Sequence, residues 1–247
     1  MFLKAAVNGG RSTSEHPGVP ITAAEIAADT AAVVAAGADV VHLHVRDERG
    51  GQTIRPDALA EVLREVRAAA PGAVLGTTTG LWTCSSPDER FALVKAWEVL
   101  PDFASVAFSE EGAAETAALV VARGMRLESA VWSMADVPAL LASPTLDRNE
   151  RILIEPMDPD PDTAVAHARA MAAAVRAAGV GCPLLYHGED ATVWPVLRAA
   201  LADGHQIRIG FEDGTALPDG TTAPDNRALV LAALRAGHAP GTPSGVL

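Results

Sequence analysis

An α/β chain that closes into a (β/α)8 TIM barrel is expected from three features of the 247 residues. Short apolar runs alternate with segments of helical spacing, eight of each. The runs are apolar throughout, as in parallel strands covered on both faces. Polar and ionisable residues gather at the C-terminal ends of the runs, where barrel enzymes carry their chemistry. A doubly wound open sheet shares the alternation, but it usually has fewer strands and lacks that one-ended pattern. No linker, low-complexity tract or charge block divides the chain. Residues 1–247 are therefore expected to form one domain, with 238–247, "HAPGTPSGVL", as a C-terminal tail docking on the barrel or on a partner subunit.

Strands are expected over Leu3 to Asn8, Asp39 to Val45, Ala73 to Thr79 and Phe103 to Phe108, then Met125 to Trp132, Arg151 to Glu155, Pro183 to His187 and Gln206 to Glu212. After the first comes "TAAEIAADTAAVVAAG", where Thr22 with Glu25 three residues on makes a capping box and Gly37 a stop. After the second comes "RPDALAEVLREVRAAAPG", with Pro56 at its start and Pro71-Gly72 beyond its end. The segments "SPDERFALVKAWEVL" and "EGAAETAALVVARG" follow the third and fourth strands. "SMADVPALLASP", after the fifth, has the weakest helical pattern. "DPDTAVAHARAMAAAVRAAG", "EDATVWPVLRAALADG", with Pro195 in its first turn, and "APDNRALVLAALRAG" complete the series.

Composition bounds the function. The chain is 49% hydrophobic and 20% charged, which is ordinary for a folded protein. A formal net charge of -12 argues against nucleic-acid and anionic-membrane partners, because either would be repelled. Cys84 and Cys182 have no paired spacing, so neither a disulfide framework nor a cysteine zinc site is implied. "MFLKAAVNGG" lacks the pattern of a signal peptide, and no apolar run reaches the roughly 20 residues of a membrane span. A cytoplasmic protein is expected.

The strand ends carry Asn8, Gly9 and Arg11, then His42, His44, Arg46 and Asp47, then Thr77, Thr78 and Thr79. Further on they carry Ser109, Glu110 and Glu111, then Glu155, then His187 and Glu189, and last Arg208, Glu212 and Asp213. Residues i and i+2 of a strand share a face, so His42 and His44 in "VVHLHVRD" point the same way, into the barrel. Two neutral imidazoles at that spacing suit one tetrahedral ion. A third ligand is expected from a nearby strand end, and Glu212 is the best placed, because the eighth strand closes the barrel beside the first. Such a set leaves a coordination position open, as catalytic zinc requires. Two buried histidines bonded to neighbouring strands would give the same pattern. His187 reads as a hydrogen-bonding residue behind the ligands or for the substrate. Glu155 and Glu110 could each be a cavity carboxylate or a plain loop residue. Arg46-Asp47 is expected as an ion pair supporting its strand end. Amidohydrolases place their HxH on the first strand with a later lysine; here it is on the second, and the strands are read as lacking lysine.

"AAVNGGR…HPGVPITAAEIA…AAGADVVHLHVRD", with "TTTG" and "IRIGFEDG" further on, resembles the β-keto acid cleavage enzymes, the family of 3-keto-5-aminohexanoate cleavage enzyme. The resemblance runs from about Lys4 to about Leu234, and the joint order of AGAxxxHLHxRD and RxGxED is its specific part. It implies a (β/α)8 barrel assembled as a homotetramer, acting on a β-keto acid and acetyl-CoA to give acetoacetate and a new CoA thioester. It further implies Zn2+ on His42, His44 and Glu212, an Arg208–Asp213 catalytic pair, and Thr78 near the substrate carboxylate. Thr79, Glu155, His187 and Arg11 complete the expected substrate contacts. Position 11 is a glutamate in members that take the amino-substituted substrate. Arginine there implies a substrate other than 3-keto-5-aminohexanoate, with a distal carboxylate or short polar tail. "SVAFSEEG" lacks the asparagine and glycine common after the fourth strand, and Glu128 with Ala130 replaces the usual fifth-strand carboxylate pattern. The short loops imply a reduced lid over CoA. Two other readings remain: a CoA-independent metal-dependent barrel lyase or hydrolase acting on a small carboxylate, and a non-catalytic metal or small-ligand binding barrel.

Overall fold

In a computed structural model, which describes residues 1–238, the strands are β1 (Leu3–Ala6), β2 (Val40–Leu43), β5 (Leu75–Thr78), β6 (Phe103–Ala107), β7 (Arg126–Val131), β8 (Asn149–Ile154), β9 (Leu184–Tyr186) and β10 (Gln206–Ile209), with a small pair, β3 (Val45–Arg46) and β4 (Gln52–Thr53), between β2 and β5. The first eight close a parallel barrel in the order β1-β10-β9-β8-β7-β6-β5-β2. Around it lie α1 (Ala23–Ala36), α2 (Pro56–Ala69), α3 (Pro87–Ala96), α4 (Ala113–Ala122), α5 (Val137–Leu141), α6 (Pro161–Ala177), α7 (Val193–Ala202) and α8 (Asn226–Gly237). The expected (β/α)8 barrel is the observed fold. The tail expected at 238–247 lies, beyond His238, outside the described residues.

Local chemistry explains the helix ends. Thr22 and Glu25 form the capping box of α1, and Gly37 ends it in the left-handed conformation at φ 110°. Ser86, Asp160 and Asp225 each accept the backbone N–H three residues on, at the starts of α3, α6 and α8. The segment expected to be the poorest helix yields only the five residues of α5.

Two apolar clusters build the core. The larger lies between strands and helices and takes the outward residues, among them Leu3, Val41, Leu43, Leu75, Ile152 and Ile207. The smaller plugs the barrel itself with Ala107, Ala130, Leu153 and Leu185. Phe2 packs on that plug, and its ring also lies against the Arg151 guanidinium, 4.4 Å from the ring centroid.

Contrary to the sequence reading, the strands do carry a lysine. Lys4, on β1, is fully buried and pairs with Glu128 on β7, which also binds Arg151 on β8. Arg151 Nε in turn donates to Gln206 at 2.8 Å. Burial pushes the Lys4 ammonium down to about 8, against the pull of Glu128. Glu128, whose register the sequence left open, thus belongs to this buried triad and not to the mouth.

The strand expected to run to Val45 ends at Leu43, and β3 turns away to pair antiparallel with β4. Arg46 and Asp47 are not an ion pair. Arg46 Nη2 donates to the carbonyls of Gly9 and Arg11, the latter at 2.9 Å. Asp47 Oδ1 accepts the N–H groups of Arg49 and Gly51, each at 2.9 Å, and so closes the hairpin.

Candidate metal centre

At the C-terminal mouth, β2 delivers His42 and the residue beyond its end delivers His44. Asn8, just past β1, replaces the missing strand pairing: its Nδ2 donates to the His44 carbonyl at 2.8 Å and its Oδ1 accepts the His44 N–H at 2.8 Å. Both imidazoles are buried, and their Nε2 atoms lie 3.1 Å apart.

Glu212 reaches them across the end of β1. The chain leaves β10 at Gly210, where a Cβ would stand 1.9 Å from the Ala6 carbonyl oxygen, so only glycine permits the crossing. The Glu212 N–H then bonds to that same oxygen at 3.1 Å. Gly9, at φ 52°, leaves space for the Glu212 side chain, whose Cγ would be 2.2 Å from a Cβ there. The carboxylate stands 3.4 Å from His44 Nε2 and 3.8 Å from His42 Nε2. One ligand atom from each of the three residues falls within 4.8 Å of the others.

The protonation pattern suits a cation. Burial holds the His42 imidazole well below its usual range, so it is neutral with a lone pair to give. Burial opposes the Glu212 charge, but Arg208 and the two histidines overcome it and keep the carboxylate ionised. Gln52, on β4, accepts from His44 Nδ1, which leaves His44 Nε2 as the donor atom facing the cluster. Buried and without a hydrogen-bond partner, His42 Nδ1 and Glu212 Oε2 mark an incompletely satisfied polar cluster. Donor set and tautomer therefore fit a divalent ion.

Beside this set, Arg208 Nη2 pairs with Glu212 at 2.6 Å and donates to Asp213 at 2.6 Å, and Nε donates to both Asp213 oxygens at 3.0 and 3.2 Å. Burial opposes the guanidinium charge, yet the Asp213, Glu212 and Glu155 carboxylates raise its pKa above the ordinary arginine value. His187 sits buried between Asp213, at 3.6 Å, and Glu155, at 3.3 Å. Burial works against the imidazolium, but the two carboxylates raise its pKa. Glu155 also accepts the Trp132 indole N–H at 3.0 Å.

A cavity of about 50 Å³ opens over the cluster. Of the residues expected from the sequence, His42, His44, Glu212, Arg208, Thr78 and Glu155 line it. Asp213 and His187 stand behind Arg208 and Glu155. Thr79 turns its hydroxyl to the Ser105 carbonyl at 2.7 Å and does not line the cavity. Nor does Arg11, whose guanidinium meets Asp190, Glu15 and the Asp213 carbonyl, so it offers no open cation to a distal carboxylate. Glu110 is a loop carboxylate: it accepts the Leu81 N–H at 2.9 Å and pairs with Arg90 at 2.6 Å. Sequence reasoning missed Gln52, Trp82 and Trp132. Nothing local marks Gln52, since the hairpin alone brings it to His44.

Known proteins share this chain's sequence pattern and fold. A 3-keto-5-aminohexanoate cleavage enzyme from Fusobacterium nucleatum is 24% identical over 93% of this chain and 88% of its own length. A 3-oxoadipate:acetyl-CoA acetyltransferase from Cupriavidus necator is 35% identical over 107 residues, 43% of this chain and 36% of its own. Apo ObcA shares the fold with a TM-score of 0.72 at 19% identity, over 89% of this chain and 61% of that one. The family profile for beta-keto acid cleavage enzyme matches residues 1–142 and 152–244. Matched over nearly all of its length, the chain belongs to the β-keto acid cleavage enzyme family.

Proposed function

We propose that the protein is a zinc-dependent enzyme that joins a β-keto acid to acetyl-CoA and releases acetoacetate and a new acyl-CoA. The observation that carries this reading is the convergence of His42, His44 and Glu212 on one point beside the Arg208–Asp213 pair. The similarity to the Cupriavidus 3-oxoadipate:acetyl-CoA acetyltransferase supports it. His42, His44 and Glu212 would hold the ion, whose Lewis acidity stabilises negative charge on the substrate's oxygens.

The residues divide the remaining work. Thr78 meets the substrate carboxylate, and Glu155, backed by His187, completes the polar side of the cavity. Asp213, oriented by three hydrogen bonds from Arg208, takes the proton from the carbon between ketone and carboxylate. That carbon attacks the thioester carbonyl and CoA thiolate leaves. The thiolate then adds to the substrate's ketone carbon, and the bond between that carbon and the central one breaks. Acetoacetate departs as the central carbon is reprotonated, and the former ketone carbon leaves as the acyl-CoA. Arg208 offsets the charge that moves through these steps. The enzyme works as a cytoplasmic homotetramer in this reading, on a substrate other than 3-keto-5-aminohexanoate. Assay of a β-keto acid panel with acetyl-CoA supplied or withheld tests it. Thioester formation only when acetyl-CoA is present, lost in Asp213→Asn with bound metal retained, is the expected result. Turnover without acetyl-CoA overturns it.

A further inference from the structure

We propose that Trp82 and Trp132 form an aromatic wall that selects a β-keto acid with an uncharged, apolar tail. This rests on the reading of the site given above and extends it to the part of the substrate that does not react.

Barrel geometry separates head from tail. In the closed order of strands, β2 and β10 flank β1, and β7 stands directly across from β1 with β6 and β8 beside it. His42, Glu212 and Arg208 therefore occupy one side of the cavity. Ala107, Ala130 and Leu153, from β6, β7 and β8, occupy the other, with Trp132 packed on them and Trp82 reaching from Trp132 back to His44. A cavity of about 50 Å³ has room for a few water-sized groups. The reacting head fills it, and the tail must leave along the wall.

The wall is built and held. Trp132 Nε1 donates to Glu155 at 3.0 Å, and Trp82 Nε1 donates to Gln52 at 3.2 Å, so both polar edges are engaged. The ring centroids lie 6.4 Å apart at 35°, which makes one continuous surface and leaves no slot between the rings. Trp82 lies nearly parallel to the His44 imidazole, at 19°, and is folded over Gly80, where a Cβ would fall 2.3 Å from the ring. It is nonetheless 51% exposed. A locked, half-exposed indole continuous with a catalytic cavity is a surface for an apolar ligand.

Charge excludes the alternatives. Among the described residues lining the cavity, Arg208 is the cation; Asp213 and Glu212 hold its Nε and Nη2, and it stands on the side of the reacting head. A distal carboxylate has no partner on the wall. A distal ammonium would meet only Glu155, whose Oε2 is already taken by Trp132 and His187.

The test uses the metal-loaded protein and β-keto acids that share one head. Their tails are straight alkyl, carboxylate (3-oxoadipate), ammonium (3-keto-5-aminohexanoate) and trimethylammonium, the last because cations also bind indole faces. The alkyl acid is expected to have the highest kcat/KM, rising about fourfold for each methylene laid on the wall. Trp82→Ala and Trp132→Ala should each raise KM for the alkyl acid about tenfold, a little under two methylenes' worth, and leave KM for acetyl-CoA unchanged. Preference for any charged tail overturns the proposal. So does a rise confined to KM for acetyl-CoA, which would assign the indoles to the coenzyme. Calorimetric binding of the alkyl acid and 3-oxoadipate reads tail contact without turnover. If no thioester forms from any acid, the functional reading fails. The wall survives that failure if the alkyl acid still binds more tightly than 3-oxoadipate and falls if it does not.

Discussion

The barrel holds two buried charge clusters, and they are finished differently. In the floor, Glu128 binds Lys4 and Arg151, and Arg151 also binds Gln206. None of these atoms is left without a partner among the buried groups. At the mouth, His42, His44 and Arg208 are buried and Glu212 is partly so, yet His42 Nδ1 and Glu212 Oε2 have no hydrogen-bond partner. A buried polar group without a partner costs free energy, so a cluster that keeps such atoms is incomplete without a ligand. The floor is a structural network; the mouth keeps donor atoms that a cation could take.

Substitutions that neutralise one carboxylate in each cluster should separate them most sharply. Glu212→Gln removes a ligand charge and is expected to lower turnover on the order of 10³-fold, with metal content falling in parallel by atomic absorption. Its metal-free form should unfold in denaturant close to the wild-type midpoint. Glu128→Gln leaves Lys4 buried beside no anion and Arg151 with only Glu150, 3.5 Å away, and about 3–5 kcal/mol of stability should be lost in a denaturation curve. Equal stability losses in the two variants would erase the distinction.

Gln52→Leu acts one shell further out. With no acceptor for His44 Nδ1, the tautomer is no longer fixed, and metal affinity should fall about 10- to 100-fold in a competition titration. An unchanged affinity would show that Asn8 alone orients His44.

The smallest effect belongs to pH. Folded Lys4 releases its proton near 8, while the unfolded side chain holds it up to 10.5. Between those values the unfolded state binds more protons, so stability of the metal-free protein gains from this group as pH rises. Below about 8 the burial penalty is at its full size. Lys4→Met should flatten the slope of unfolding free energy between those two pH values; an unaltered slope would place the titration elsewhere.

The sequence revealed the parts that depend on local periodicity. His42 and His44 share a face because of the two-residue repeat of a strand, and Glu212 follows from the closure of the last strand on the first. Capping at Thr22 and the stop at Gly37 rest on neighbouring residues. What stayed hidden depends on distance along the chain. Lys4 finds its partner 124 residues away, and nothing in "FLKAAV" announces a buried charge. Gln52 reaches His44 only because two two-residue strands fold back. Arg11 looked like a substrate contact until Asp190, 179 residues on, was seen to take its guanidinium. The aromatic wall draws on alanines and a leucine from three strands, residue types that signal only a core.

Gln52 Oε1 accepts from both His44 and Trp82. One oxygen thus touches the ligand shell on one side and the tail surface on the other. Thermodynamic linkage makes that contact symmetrical: if a seated tail shifts the Gln52 amide, the ion's affinity changes by the same factor by which the ion changes affinity for the tail. Titrating the metal with and without an alkyl β-keto acid would read that factor directly, and Gln52→Leu should reduce it to one.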